Sequence, residues 1–81
     1  MFFNSIVGLD AIPPGRKARV VRIEGGRGLI GRLARLGIVP GAEVEVISRA
    51  PVGGPVLIEV DGARVALGRG VARKVVVTPL A

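Results

Sequence analysis

The sequence predicts a mainly β fold: a small barrel of five short strands, with one short α-helix after the first strand and a 3-10 turn before the last. Three observations carry this reading. Short apolar runs rich in Val and Ile recur between breaks rich in Gly and Pro. One stretch, residues 29–41 (LIGRLARLGIVPG), has a helical period. Asp61-Gly62 lies between two apolar runs and is the strongest short hairpin signal in the chain, asking for a type I′ turn.

Residues 1–12 are a lead-in. Its apolar members Phe2, Phe3, Ile6, Val7 and Leu9 fit neither period, and it is expected to pack along the barrel edge. The stiff turn Pro13-Pro14-Gly15 ends it. Residues 17–24 (KARVVRIE) read as the first strand. Their pattern changes sense near Val20-Val21, and a bulge there keeps both Val20 and Ile23 inward. Gly25-Gly26-Arg27-Gly28 lacks the Lys-Ser/Thr of a P-loop. It is read as a tight turn needing positive φ rather than as a phosphate cradle.

The helix is expected over 28–36. Leu29, Leu33 and Leu36 fall at i, i+4 and i+7 and are assigned to the core, while Arg32 and Arg35 project away. Gly37 is placed as the left-handed residue that closes the helix, and Pro40-Gly41 as the turn that launches the next strand. Residues 43–49 alternate, with Val44 and Val46 on one face and Glu43 and Glu45 on the other. Residues 50–55 (APVGGP) can only be a loop. Residues 56–60 and 63–67 pair around Asp61-Gly62, with Val56, Ile58, Val60, Val65 and Leu67 inward. Residues 68–72 suit one 3-10 turn. Residues 74–78 make the last strand, which Pro79 ends. Such a meander buries one face by curling, which predicts an SH3-like barrel with the helix across one end.

At 81 residues the chain is read as a single domain, 1–81, with a thin core. It has no Cys and no His, so neither a disulfide framework nor a Cys/His metal site can staple it. Packing must do so, and 49% of the residues are hydrophobic. No run approaches the ~20 apolar residues of a membrane span. The start lacks the charged head and long apolar core of a signal peptide. A cytoplasmic protein is expected, with no direct membrane insertion. A membrane-dipping pair Phe2-Phe3 is the lesser reading, because one short apolar stub anchors poorly. The net charge is +6, and arginine supplies most of the positive charge. Its fork suits phosphates and carboxylates, so an acidic partner is one reading. The other is solvated faces, since the arginines are spread along the chain and never form a run.

The chemistry available is that of a binding module. Without His or Cys the commonest general base and the thiol nucleophile are missing, and Ser5, Ser48 and Thr78 have no identifiable base. No enzyme activity, catalytic residue or cofactor is expected. Glu43 and Glu45 share a strand face and can meet Glu59 across the hairpin, where three carboxylates would hold a hard cation weakly. A solvated face paired with Arg49 or Arg64 is the preferred reading. Transition-metal binding by the chain itself is not expected, because soft and imidazole ligands are absent. Basic barrels that bind single strands use aromatic platforms, and none lies in these strands. Nucleic acid is therefore the weaker alternative, limited to phosphate contacts.

The run RLARLGIVPG, from Arg32 to Gly41, resembles the RLxxLGxxPG signature of the ferrous-iron transport protein A (FeoA) family. The loop APVGGP is similar to that family's APxGxP. ALGRGVA, from Ala66 to Ala72, resembles its ALxxxxA element, and LDAIPPG, from Leu9 to Gly15, its opening. Gly54 departs from the pattern, where many members carry Asp. Four motifs in order span nearly the whole chain. The resemblance implies an SH3-like fold and a small cytosolic accessory of FeoB, the membrane ferrous-iron transporter with a cytoplasmic GTPase domain. That would leave the chain peripheral to the inner membrane through its partner. Similar domains end the iron-dependent repressors of the DtxR type. With no helix-turn-helix before the barrel, a stand-alone protein is the expectation, and a relative of that repressor domain the alternative.

The expected partner surface joins Arg32, Arg35, Gly37 and Pro40 to Pro51 and Pro55 of the loop and to Arg69, since loops on a rigid barrel concentrate binding residues. A GTPase regulator is a second hypothesis, with Arg32, Arg35 or Arg69 supplying charge to phosphoryl transfer. A mean hydropathy of +0.57 leaves room for a homo-oligomer. Contact with iron is not expected.

Overall fold

Six strands, β1 (Val7–Gly8), β2 (Lys17–Ile23), β3 (Glu43–Arg49), β4 (Val56–Val60), β5 (Ala63–Leu67) and β6 (Val75–Pro79), make one antiparallel sheet in a computed structural model that describes residues 5–80. The spatial order is β1-β6-β2-β3-β4-β5. Apart from the two-residue β1, this is the five-stranded SH3-like meander, with β6 returning to pair with β2. Among the described residues no ladder joins β5 to β1, so the sheet curls around its core without closing.

The bulge expected in β2 is present: its register against β6 shifts between Val20 and Arg22. Val20 is buried and Ile23 packs on the core, while Val21 is turned out. A second shift, between Val46 and Ser48, bends β3 against β4. Two bulges give a narrow sheet the curvature to wrap one core. Val44, Val46, Val56, Ile58, Val60 and Leu67 line it as the alternation required. Asp61 and Gly62 have φ of 52° and 77°, the paired positive values of a type I′ turn.

Several elements differ from expectation. The lead-in does more than follow an edge. Val7 and Gly8 pair with Val77 and Val76, and a 3-10 turn, Leu9–Ala11, then drives Leu9 and Ile12 into the core. Their i, i+3 spacing is the period of that tighter helix, which neither a strand nor an α-helix template detects. The single turn expected over 68–72 is a six-residue α-helix, α2 (Arg69–Lys74). Its Ala72 N–H donates to the Gly68 C=O at 2.9 Å, and Ala72 is fully buried. Because α2 absorbs Lys74, β6 starts one residue later than expected and includes Pro79.

Helix α1 (Arg27–Arg35) lies within a residue of its expected bounds, but its seating differs. Leu33 is buried and Leu29 half-buried; Leu36 is 42% exposed. The helix stops one residue before Leu36 in a Schellman turn. Gly37 N–H donates to the Ala34 C=O at 3.0 Å and Ile38 N–H to the Leu33 C=O at 2.9 Å. Gly37, at φ 87°, reverses the chain so that Ile38 takes the core position assigned to Leu36. The glycines before α1 do not have positive φ. Gly25 is required for another reason: a Cβ there would stand 2.7 Å from Leu29 Cδ2.

Candidate functional site

The residues expected to share one partner surface fall at two ends of the molecule. Gly37 approaches the β4–β5 turn, where a Cβ added to it would meet Asp61 Oδ2 at 2.6 Å and Val60 Cγ2 at 3.6 Å. Arg32, Arg35, Gly37 and Pro40 therefore belong to the Val60 end of β4. Pro51 and Pro55 belong to the loop that enters β4 at Val56, and Arg69 is hydrogen-bonded to that loop. Four residue steps of strand, about 13 Å, separate the two ends.

At the α1 end the surface is cationic and apolar. Arg32 and Arg35 are exposed in the last turn of α1, where positive charge favours the helix dipole. Pro40 is the first corner of a turn closed by Ala42 N–H to the Val39 C=O at 2.9 Å. Ile30 and Leu36 are each 42% exposed and Val39 is 40% exposed. They flank the buried Leu33, so the apolar arc of α1 is wider than the sheet can cover.

The bookkeeping of positive charge sets this end apart. Lys17, Arg19, Arg22, Arg64 and Arg73 lie within 4.0 Å of carboxylates. Arg16, Arg49 and Arg69 donate to backbone carbonyls. Among the described residues that leaves Arg27, Arg32, Arg35 and Lys74 with neither kind of partner. Three of the four are on α1. No acid occurs between Glu24 and Glu43.

At the other end the guanidiniums are engaged by backbone carbonyls. Arg69 is partly buried; its Nε donates to the Gly54 C=O at 3.1 Å and its Nη2 to the Ala50 C=O at 3.0 Å. Arg49 Nη1 donates to the Asp10 C=O at 2.8 Å, tying β3 to the 3-10 turn. Arg69 is thus a brace of the loop rather than a free contact. Gly54 has a steric reason: a Cβ there would lie 2.6 Å from the Ala50 Cβ.

The carboxylates line a shallow cleft of about 150 Å³ with Lys17, Glu43, Glu45, Glu59 and Asp61. Glu45 stands opposite Glu59 in the ladder. Glu59 is drawn to Arg64 at 3.4 Å, and Glu43 lies 3.9 Å from both Lys17 and Arg19. Those pairs make the cleft a solvated, mixed-charge strand face. Arg64 is the partner the sequence suggested; Arg49 is not, because Asp10 holds it. Phe2 and Phe3 lie outside the described residues. No helix among the described residues is long and apolar enough to cross a membrane.

Sequence reasoning missed Arg27 and Ile30 at the α1 end. The acid-free interval from Glu24 to Glu43 was a usable signal for them. It also missed the brace formed by Arg69, which pattern alone does not reveal.

A family model described as the FeoA domain matches residues 7–79. A candidate Fe(2+) transport protein A of Methanocaldococcus jannaschii is 38% identical over 63 residues, 78% of this chain and 74% of that protein. The crystal structure of an iron uptake regulatory protein (FeoA) superposes with a TM-score of 0.87 at 39% identity, over 94% of this chain and 100% of that one. A manganese-dependent transcriptional repressor superposes with a TM-score of 0.84 at 25% identity, over 99% of this chain and 45% of that one.

Proposed function

The chain belongs to the FeoA domain family, which is associated with ferrous-iron transport, and on that premise we propose that it is a cytoplasmic accessory that docks on the FeoB-type membrane transporter through α1. One observation carries the reading: the arginines that meet no carboxylate or carbonyl among the described residues and the exposed apolar side chains coincide on the same helix and the turn after it. Arg27, Arg32 and Arg35 supply charge that an acidic surface answers, and Ile30, Leu36 and Val39 supply area that binding removes from water. Charge at such a rim sets encounter rate and orientation, and the apolar centre sets lifetime.

The test is capture of the full-length transporter, reconstituted in nanodiscs, by the tagged chain. Arg32→Glu/Arg35→Glu is expected to lower capture roughly tenfold, the scale at which reversed charge opposes a complementary surface. Thermal melting of the variant alongside separates lost docking from lost fold. Undiminished capture would sink this surface.

A further inference from the structure

The tip of the loop between β3 and β4 carries an unusual residue. Val52 has a φ of 55° and is wholly exposed, at 102%. With Gly53 at φ 74° it forms the centre of a tight turn, closed by Gly54 N–H to the Pro51 C=O at 3.2 Å. Positions of this kind favour Gly and Asn; a β-branched residue in the left-handed region is an outlier. The chain accepts that strain for a side chain that contributes nothing to its own core.

The base beneath the tip is rigid. Ala50 N–H donates to the Pro55 C=O at 2.9 Å, and the Arg69 fork joins Ala50 to Gly54 from below. An apolar side chain held out on a stiff, strained turn is preorganised for insertion, because its ordering cost is met before any partner arrives. Charge decides what kind of partner. Residues 50–55 include no ionisable group. Of the flanking arginines, the partly buried Arg69 donates twice to the loop's own carbonyls, and the exposed Arg49 donates to the Asp10 C=O. A phosphate-bearing surface would call for charge at the tip itself, and one isopropyl group is too small to anchor a chain in lipid. The complement is an uncharged, aliphatic hollow in a folded protein, with Pro51 and Pro55 against its rim.

We infer that the turn at Pro51 to Gly54 is a second docking element, distinct from α1, whose Val52 side chain inserts into an apolar socket of the transporter protein. The identity of the partner rests on the docking proposed above; the knob and its socket do not use the α1 surface.

The experiment compares the binding of Val52→Gly, Val52→Leu and Arg32→Glu/Arg35→Glu to the full-length transporter in nanodiscs, with melting curves for each variant. Val52→Gly relieves the backbone strain while removing the anchor. It is expected to melt at the same or a higher temperature yet bind roughly tenfold more weakly. Val52→Leu, which keeps an apolar anchor, should stay within about threefold of the parent. A structural role for Val52 would move stability and binding together. Parent-like binding by Val52→Gly, with weakened binding by Arg32→Glu/Arg35→Glu, overturns the second element and leaves docking through α1. No binding by the parent chain overturns both.

Discussion

Arginine does opposite work at the two ends of this molecule. Beside residues 50–55 the fork of Arg69 is closed on the Gly54 and Ala50 carbonyls, the exposed Arg49 donates to the Asp10 C=O, and the loop itself carries no ionisable group. Around α1 the forks of Arg27, Arg32 and Arg35 meet no carboxylate or carbonyl among the described residues, and apolar side chains stand exposed beside them. The same residue type is therefore architecture in one place and available surface in the other. Net charge alone could not separate the two. What separates them is whether the chain places a backbone carbonyl within reach of the fork.

The comparison can be broken by stability measurements. The largest effect is expected within α1 itself: Leu33→Ala should cost about 3 kcal/mol, the loss for a fully buried leucine, and Leu36→Ala less than about 1 kcal/mol. Equal losses in urea unfolding would mean that α1 is seated more deeply than its exposure indicates. Next, Arg69→Ala should cost about 2 kcal/mol, since it orphans two carbonyls in a partly buried site, while Arg32→Ala stays within about 0.5 kcal/mol. Comparable losses at both positions would erase the distinction between brace and surface. Gly37→Ala should cost about 1–2 kcal/mol, because its φ of 87° and the nearby Asp61 carboxylate both oppose a Cβ. The smallest effect sharpens rather than breaks the contrast. Raising salt from low to physiological strength should leave the melting temperature of Arg69→Ala relative to its parent unchanged, while weakening transporter capture through α1.

Most of the fold was legible because it obeys a period. The strands at 43–49, 56–60 and 63–67 alternate cleanly, and the β2 bulge announced itself as a change of sense at Val20-Val21. The failures lie where the period is shorter than the template. Leu9 and Ile12 reach the core through a 3-10 turn of three residues, too short to register as a pattern. Leu36 continued the helical stripe perfectly, yet the chain left the helix one residue earlier, and Ile38 displaced it. Periodicity says which residues would share a face if the element continued; the cap decides whether it does. The candidate surface was legible only in part. Arg32 and Arg35 could be read as outward from the helix alone. That Pro51, Pro55 and Arg69 lie at the far end of β4 from them is a fact of topology, and no local pattern encodes it.

The pairing of β1 with the outer edge of β6 has a consequence for how this domain can be built into larger proteins. Val7 lies opposite Val77 and Gly8 opposite Val76 in an antiparallel ladder. The first strand therefore enters beside the point where the last one leaves. Both ends of the described chain emerge side by side at the β1–β6 edge of the sheet. A neighbouring domain attached at either end would hang from that edge without threading the sheet, and a short tether across it would close the chain into a ring. The geometry makes the fold a cassette, in keeping with its recurrence as somewhat under half of a transcriptional repressor.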